Sequence, residues 1–210
     1  MGNPRPRLLG ELAAALVAAL LFGFLAMAVM SGEAGAFDAA VRGDVHARSF
    51  PALTYAMRGF TTMGEAVFLI TFGALAVWRL VAAGRRREAV FLALAALGGE
   101  ALDQALKEWF RRPRPQAFFG VAPDNYSFPS GHAMVSLCFY LVLAEIVIEE
   151  EWPHGHRLLA RAVAVALSLL VGFSRIYLGV HYPTDVLAGY AAAIVWLAVL
   201  RSVHKWRHVR

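Results

Sequence analysis

Long apolar runs alternate along the chain with short polar stretches rich in Arg, Pro and Gly. The first run covers residues 8–30, with Glu11 near its start. Others follow at residues 63–83, 88–106, 131–149, 157–174 and 184–203. About 20 apolar residues in a helix cross a hydrocarbon core of about 30 Å. The pattern therefore predicts an all-α integral membrane fold with six transmembrane helices in a single domain over residues 1–210. The stretch 31–62 is mixed: Phe37, Val41 and Val45 recur at helical spacing among Asp38, Arg42 and Asp44. That spacing predicts short amphipathic helices lying in the interface between the first and second spans, divided at Pro51. Residues 107–130 are polar and contain Pro113, Pro115, Pro123 and Pro129, which exclude a continuous helix.

Composition supports this reading. Hydrophobic residues make up 59% of the chain and charged residues 17%, against roughly 25% charged in soluble domains. The net charge of +5 comes without interleaved basic and aromatic residues on a polar face, so a nucleic-acid partner is not expected. Cys138 is the single cysteine and lies in an apolar run; it reads as a small core residue, and no Cys/His zinc spacing exists. The first apolar run is too long for a signal peptide and is expected to be retained. Glu149-Glu150-Glu151 reads as a solvated helix end. With six spans both termini share one side, and the larger share of Lys and Arg there places them in the cytoplasm.

On the opposite face the polar residues gather in three clusters. The stretch Ser174-Arg175-Ile-Tyr-Leu-Gly-Val-His181-Tyr-Pro-Thr-Asp185 joins two apolar runs. A carboxylate four residues after an imidazole can fix its tautomer and leave the other nitrogen free to attack an electrophile. Arg175 offers a planar fork suited to phosphate oxygens. Lys107 to Pro115 carries four cations beside lipid, costly without an anionic partner. Pro129-Ser130-Gly131-His132 opens a helix: Ser130 is a natural N-cap, Gly131 allows close backbone approach, and a helix N-terminus favours anions.

In order, K-x6-R-P, P-S-G-H and S-R-x5-H-x3-D resemble the signature of the type 2 phosphatidic acid phosphatase superfamily. Lys107, Arg114 and Pro115, then Pro129 to His132, then Ser174, Arg175, His181 and Asp185 match it without departure. The resemblance implies that His181 is a nucleophile forming a phosphohistidine, supported by Asp185. It implies that His132 is the acid for the leaving group and then the base for water. Lys107, Arg114, Ser130, Gly131 and Arg175 would hold phosphoryl oxygens. No acidic pair of metal-ligand character accompanies the motifs, so no metal or other cofactor is expected.

The implied function is a bacterial inner-membrane lipid phosphatase acting at the outer face of the bilayer. Its expected partner is a lipid phosphate, with undecaprenyl pyrophosphate first and phosphatidylglycerophosphate or phosphatidic acid close behind. A lipid-phosphate binder or transporter would need the cations but not both imidazoles and Asp185. Soluble vanadate-dependent haloperoxidases share the motifs but not the hydropathy. Glu100 and Asp103 are expected to hold the cationic cluster in place. Arg111 and Arg112 are read as candidates for a second phosphate or for lipid headgroups. Phe118, Phe119, Tyr126 and Phe128 are candidates for a lipid entrance or for interfacial anchors. Oligomeric state stays open.

Overall fold

The computed structural model describes residues 4–148 and 152–208; Glu149-Glu150-Glu151 lies outside the described residues. Among the described residues the chain forms eight α-helices and no strand: α1 (Pro4–Ser31), α2 (Ala34–Ala47), α3 (Pro51–Thr62), α4 (Ala66–Ala82), α5 (Arg86–Phe110), α6 (Gly131–Val147), α7 (His154–Tyr177) and α8 (Pro183–His208). The helix ends follow local chemistry. Pro51 opens α3 after an extended Phe50, where its missing N–H costs nothing. Arg111 closes α5 with a left-handed φ of 48°, and Pro113 and Pro115 then keep the chain from resuming a helix.

Four described helices, within α1, α5, α7 and α8, are long and apolar enough to cross a membrane. α3 and α4 qualify only together, across a bend of 48°. The two short helices expected on either side of Pro51 are present as α2 and α3, and α3 leads directly into α4 through a corner at residues 63–65. α6 has 17 residues, about 25 Å at 1.5 Å per residue, and falls short of the core thickness on its own. The reason lies in its surroundings. α6 packs against α5, α7 and α8, and Met134, Cys138, Phe139 and Val142 are wholly buried. It is the internal post of the bundle and has little lipid to span.

The core joins α4, α5, α6 and α8 through Leu69, Leu92, Ala95, Met134, Cys138, Phe139, Ala193 and Leu197. Large apolar side chains such as Leu16, Phe24, Ile70, Leu75, Leu94 and Leu169 point outward, as a hydrocarbon solvent permits. The ends of α5 and α7, the starts of α6 and α8, and parts of α2 and α3 meet at one end of the bundle.

Candidate active site

α8 begins with one half of a capping box. Tyr182 precedes Pro183, and Asp185, in the first turn, reaches back so that its Oδ2 accepts from the Tyr182 backbone N–H at 2.9 Å. The next free amide, Thr184 N–H, donates to Asp38 Oδ1 at 3.0 Å, and Thr184 Oγ1 bonds Asp38 Oδ2 at 2.8 Å. A carboxylate from α2 therefore completes the cap of α8. This fixes Asp185 where the His181 Nδ1–H can donate to Oδ2 at 3.3 Å. Ser127 Oγ donates to the same oxygen.

The turn that carries His181 needs Gly179. Its φ is +79°, and an added Cβ would lie 2.5 Å from the Phe118 backbone nitrogen. Phe118 and Phe119 N–H both donate to Leu178 O, at 3.0 and 3.2 Å. Phe118 stacks on His46, and Phe119 on Tyr177. Phe128 is wholly buried against Phe22 and Phe110. These three aromatics brace the 111–130 segment.

His181 is 1% exposed. Arg114 Nη1 bonds its Nε2 at 2.8 Å and also donates to Val180 O, while Asn125 Oδ1 holds the other edge of the guanidinium. Burial, then the charges of Arg114, Arg175 and Lys107, push the His181 pKa well below the ordinary imidazole value. The ring is neutral near pH 7, with Nδ1 donating to Asp185 and the Nε2 lone pair facing the cations.

Lys107, Arg114, Gly131, His132, Arg175 and His181 line one cavity of about 690 Å³. Buried polar atoms beside it lack partners: His132 Nε2, Ser130 Oγ, Arg175 Nε and Asp103 Oδ1. Ser130 occupies the N-cap position of α6, yet its hydroxyl makes no capping bond. Its backbone N–H donates instead to Asp185 O at 2.9 Å, tying α6 to α8. Lys107 pairs with buried Asp103, and Arg175 Nη1 donates to Thr61 Oγ1 at 2.5 Å. Gly64 at the α3–α4 corner brings that corner onto His132; a Cβ there would sit 2.9 Å from the imidazole Cδ2. Cations, a neutral imidazole whose Nε2 lone pair is met by Arg114, a second imidazole and unpaired donors on one buried cavity suit in-line displacement at a tetrahedral anion. Among the described residues no group of three or more His, Cys, Asp or Glu is placed to hold a metal ion.

Arg112 departs from expectation. It reaches neither the cavity nor lipid. Its Nη1 donates to Asp185 Oδ1 at 2.6 Å and to Thr184 Oγ1 at 2.8 Å, and its Nη2 to Asp38 Oδ2 at 2.7 Å. The guanidinium lies 3.9 Å from the Tyr182 ring centroid. Burial alone would lower its pKa; the two carboxylates outweigh that and raise it. Asp38, Ser127, Thr61, Asn125 and Gly64 also serve this site without a motif to mark them. The alternation Arg112-Pro113-Arg114-Pro115 carried a signal for Arg112. An extended chain presents both guanidiniums to one partner region, here Asp185 and His181.

Residues 88–208 match the PAP2 superfamily. The chain is 30% identical over 184 residues to phosphatidylglycerophosphatase B of Bacillus subtilis, covering 87% of this chain and 91% of the relative. It is 28% identical over 152 residues to an undecaprenyl-diphosphatase of Sulfolobus acidocaldarius, covering 67% and 69%. The crystal structure of a transmembrane PAP2-type phosphatidylglycerolphosphate phosphatase from Bacillus subtilis superposes with a TM-score of 0.84 at 28% identity, over 91% of this chain and 96% of that one. Sequence and fold agree over nearly the whole length, and the chain is a multi-pass membrane phosphatase belonging to the PAP2 superfamily.

Proposed function

We propose that this phosphatase removes the terminal phosphate from a membrane lipid by way of a phosphohistidine. The lipid reading is carried by the shape of the cavity. One end is cationic, and the rest is walled by Leu69, Ile70 and Val77 of α4, Leu92 and Leu97 of α5, and Phe139 of α6. Ile70 and Leu97 are 64% and 66% exposed, so the apolar wall continues onto the lipid-facing surface. A phosphate gripped at the top leaves its hydrocarbon chains in the cleft.

In this mechanism His181 Nε2 attacks phosphorus while the bond to the lipid oxygen breaks, and Asp185 supports the positive imidazole that results. His132 gives its proton to the departing oxygen, then removes one from the water that cleaves the phosphorus–nitrogen bond. Inorganic phosphate leaves and His181 is restored. Lys107, Arg114 and Arg175, the Ser130 hydroxyl and the Gly131 amide hold the phosphoryl oxygens. We place the termini in the cytoplasm and the site at the outer face of a bacterial inner membrane, with α6 and the α3–α4 pair completing six passes of one domain. The match to a phosphatidylglycerophosphatase over most of both chains favours a glycerophospholipid phosphate. A polyprenyl diphosphate is the second reading, favoured by the shorter match to an undecaprenyl-diphosphatase.

The test is phosphate release from both lipids by purified protein in detergent with excess EDTA. Turnover is expected with chelator present, inhibited by orthovanadate and abolished in His181→Ala. Near-normal turnover in that variant would remove His181 as nucleophile.

A further inference from the structure

The cavity-facing side of α5 changes character along its length. Leu92, Ala93, Ala96 and Leu97 line the cleft first, then Glu100, Asp103, Gln104 and Lys107. Steps of three and four residues keep them on one face. Gln104 Nε2 donates to Glu100 Oε1 at 2.7 Å, and both side chains are exposed where they line the cavity. Asp103, wholly buried, lines the same cavity with its Oδ1 unpartnered. Because Asp103 already pairs with Lys107, Glu100 is not needed to neutralise the cation.

Glu100 lies near the middle of the span, about 15 Å from the end of α5 at Phe110. A polar pair at that depth is costly unless something uses it. It sits about 10 Å along the helix from Lys107, and both side chains lean toward the helix N-terminus, so the separation persists. A phosphate held at Lys107 therefore lays the next few atoms of its lipid against Gln104 and Glu100. The wall there is rich in acceptors and seeks donors, which a polyprenyl chain lacks.

We propose that Glu100 and Gln104 form a subsite for a hydroxyl-bearing spacer between the scissile phosphate and the hydrocarbon chains, selecting phosphorylated polyol lipids over phosphates borne directly on hydrocarbon. This rests on the lipid phosphatase reading above.

The experiment compares kcat/KM for 1-acylglycerol 3-phosphate and for an alkyl phosphate of matched chain length, in the same micelles. The intact protein is expected to favour the hydroxylated lipid by about tenfold or more, the scale of one hydrogen bond to a charged group. Glu100→Leu brings the ratio close to one, and Glu100→Gln, which keeps an acceptor and the shape, gives an intermediate ratio and carries the test if the Leu variant does not fold. A ratio unchanged by the substitution overturns the subsite, whether both substrates lose equally, as a structural role would have it, or neither does. Failure of the intact protein to release phosphate from any lipid overturns the phosphatase reading itself, and the subsite with it.

Discussion

Arg112→Ala separates support of Asp185 from grip on phosphate. The guanidinium side chain is 12% exposed and bridges two carboxylates that are 0% and 1% exposed. Removing one member of a buried ion pair costs about 3–5 kcal/mol, chiefly through the charge left behind. Here Asp185 keeps Ser127, Tyr182 N–H and His181, and Asp38 keeps both Thr184 donors. The lower end, about 3 kcal/mol of stability, is therefore expected. The rate should fall because Asp185 Oδ1 loses its charged donor and the carboxylate can turn away from Nδ1. One such bond is worth about 1.5–3 kcal/mol, or about 10- to 100-fold in kcat. KM and the vanadate inhibition constant should stay within about threefold, since Arg112 does not line the cavity. Arg112→Lys should recover part of the rate, because an ammonium reaches one carboxylate but cannot fork between two. Steady-state kinetics and thermal unfolding in detergent measure these quantities. A loss confined to KM and vanadate affinity with kcat intact would mean that Arg112 grips phosphate, and the positioning argument would fail.

The pH response follows from His181. Its native pKa is depressed while the unfolded imidazole titrates near 6.5, so between these values the unfolded chain binds more protons and stability falls as pH drops below about 6.5. The acid limb of kcat/KM should lie well below 6.5; a limb at or above that value would show a protonated, non-nucleophilic ring. Gly131→Ala tests the crowding at the start of α6, where a Cβ would meet Asp103 Oδ2 at 2.6 Å and Lys107 Nζ at 3.1 Å. Displacing that pair should cost about tenfold or more in kcat/KM, the worth of one charge-assisted contact, and weaken vanadate binding in parallel. Retention of activity within about twofold would mean that Lys107 is not held against this turn.

The parts of the site that were legible in the sequence are those whose cause is local. His181 and Asp185 stand one turn apart because an acid in the first turn of α8 caps its own helix, and that spacing is written in consecutive residues. Lys107 pairs with Asp103 by the same rule on α5. Cations next to lipid demand an anion wherever they fold. The illegible parts have partners far away. Asp38 caps α8 across 146 residues, and nothing in α2 distinguishes it from Asp44, which faces solvent beside Arg48. Arg112 stands two residues from Arg114 with the same chemistry, yet one turns to the carboxylate and the other to the imidazole. Only the docking of residues 111–130 on the α7–α8 turn decides which. The spans were legible only in part, for a related reason. Hydropathy registers that α6 is apolar, but an apolar helix enclosed by protein and one facing lipid look alike until the neighbours are known. That enclosure matters for the chemistry. With α6 enclosed by α5, α7 and α8, its Gly131 and His132 end opens on the cavity that Lys107, Arg114 and Arg175 also line, where partial exclusion of water strengthens each fixed cation relative to its effect in bulk solvent.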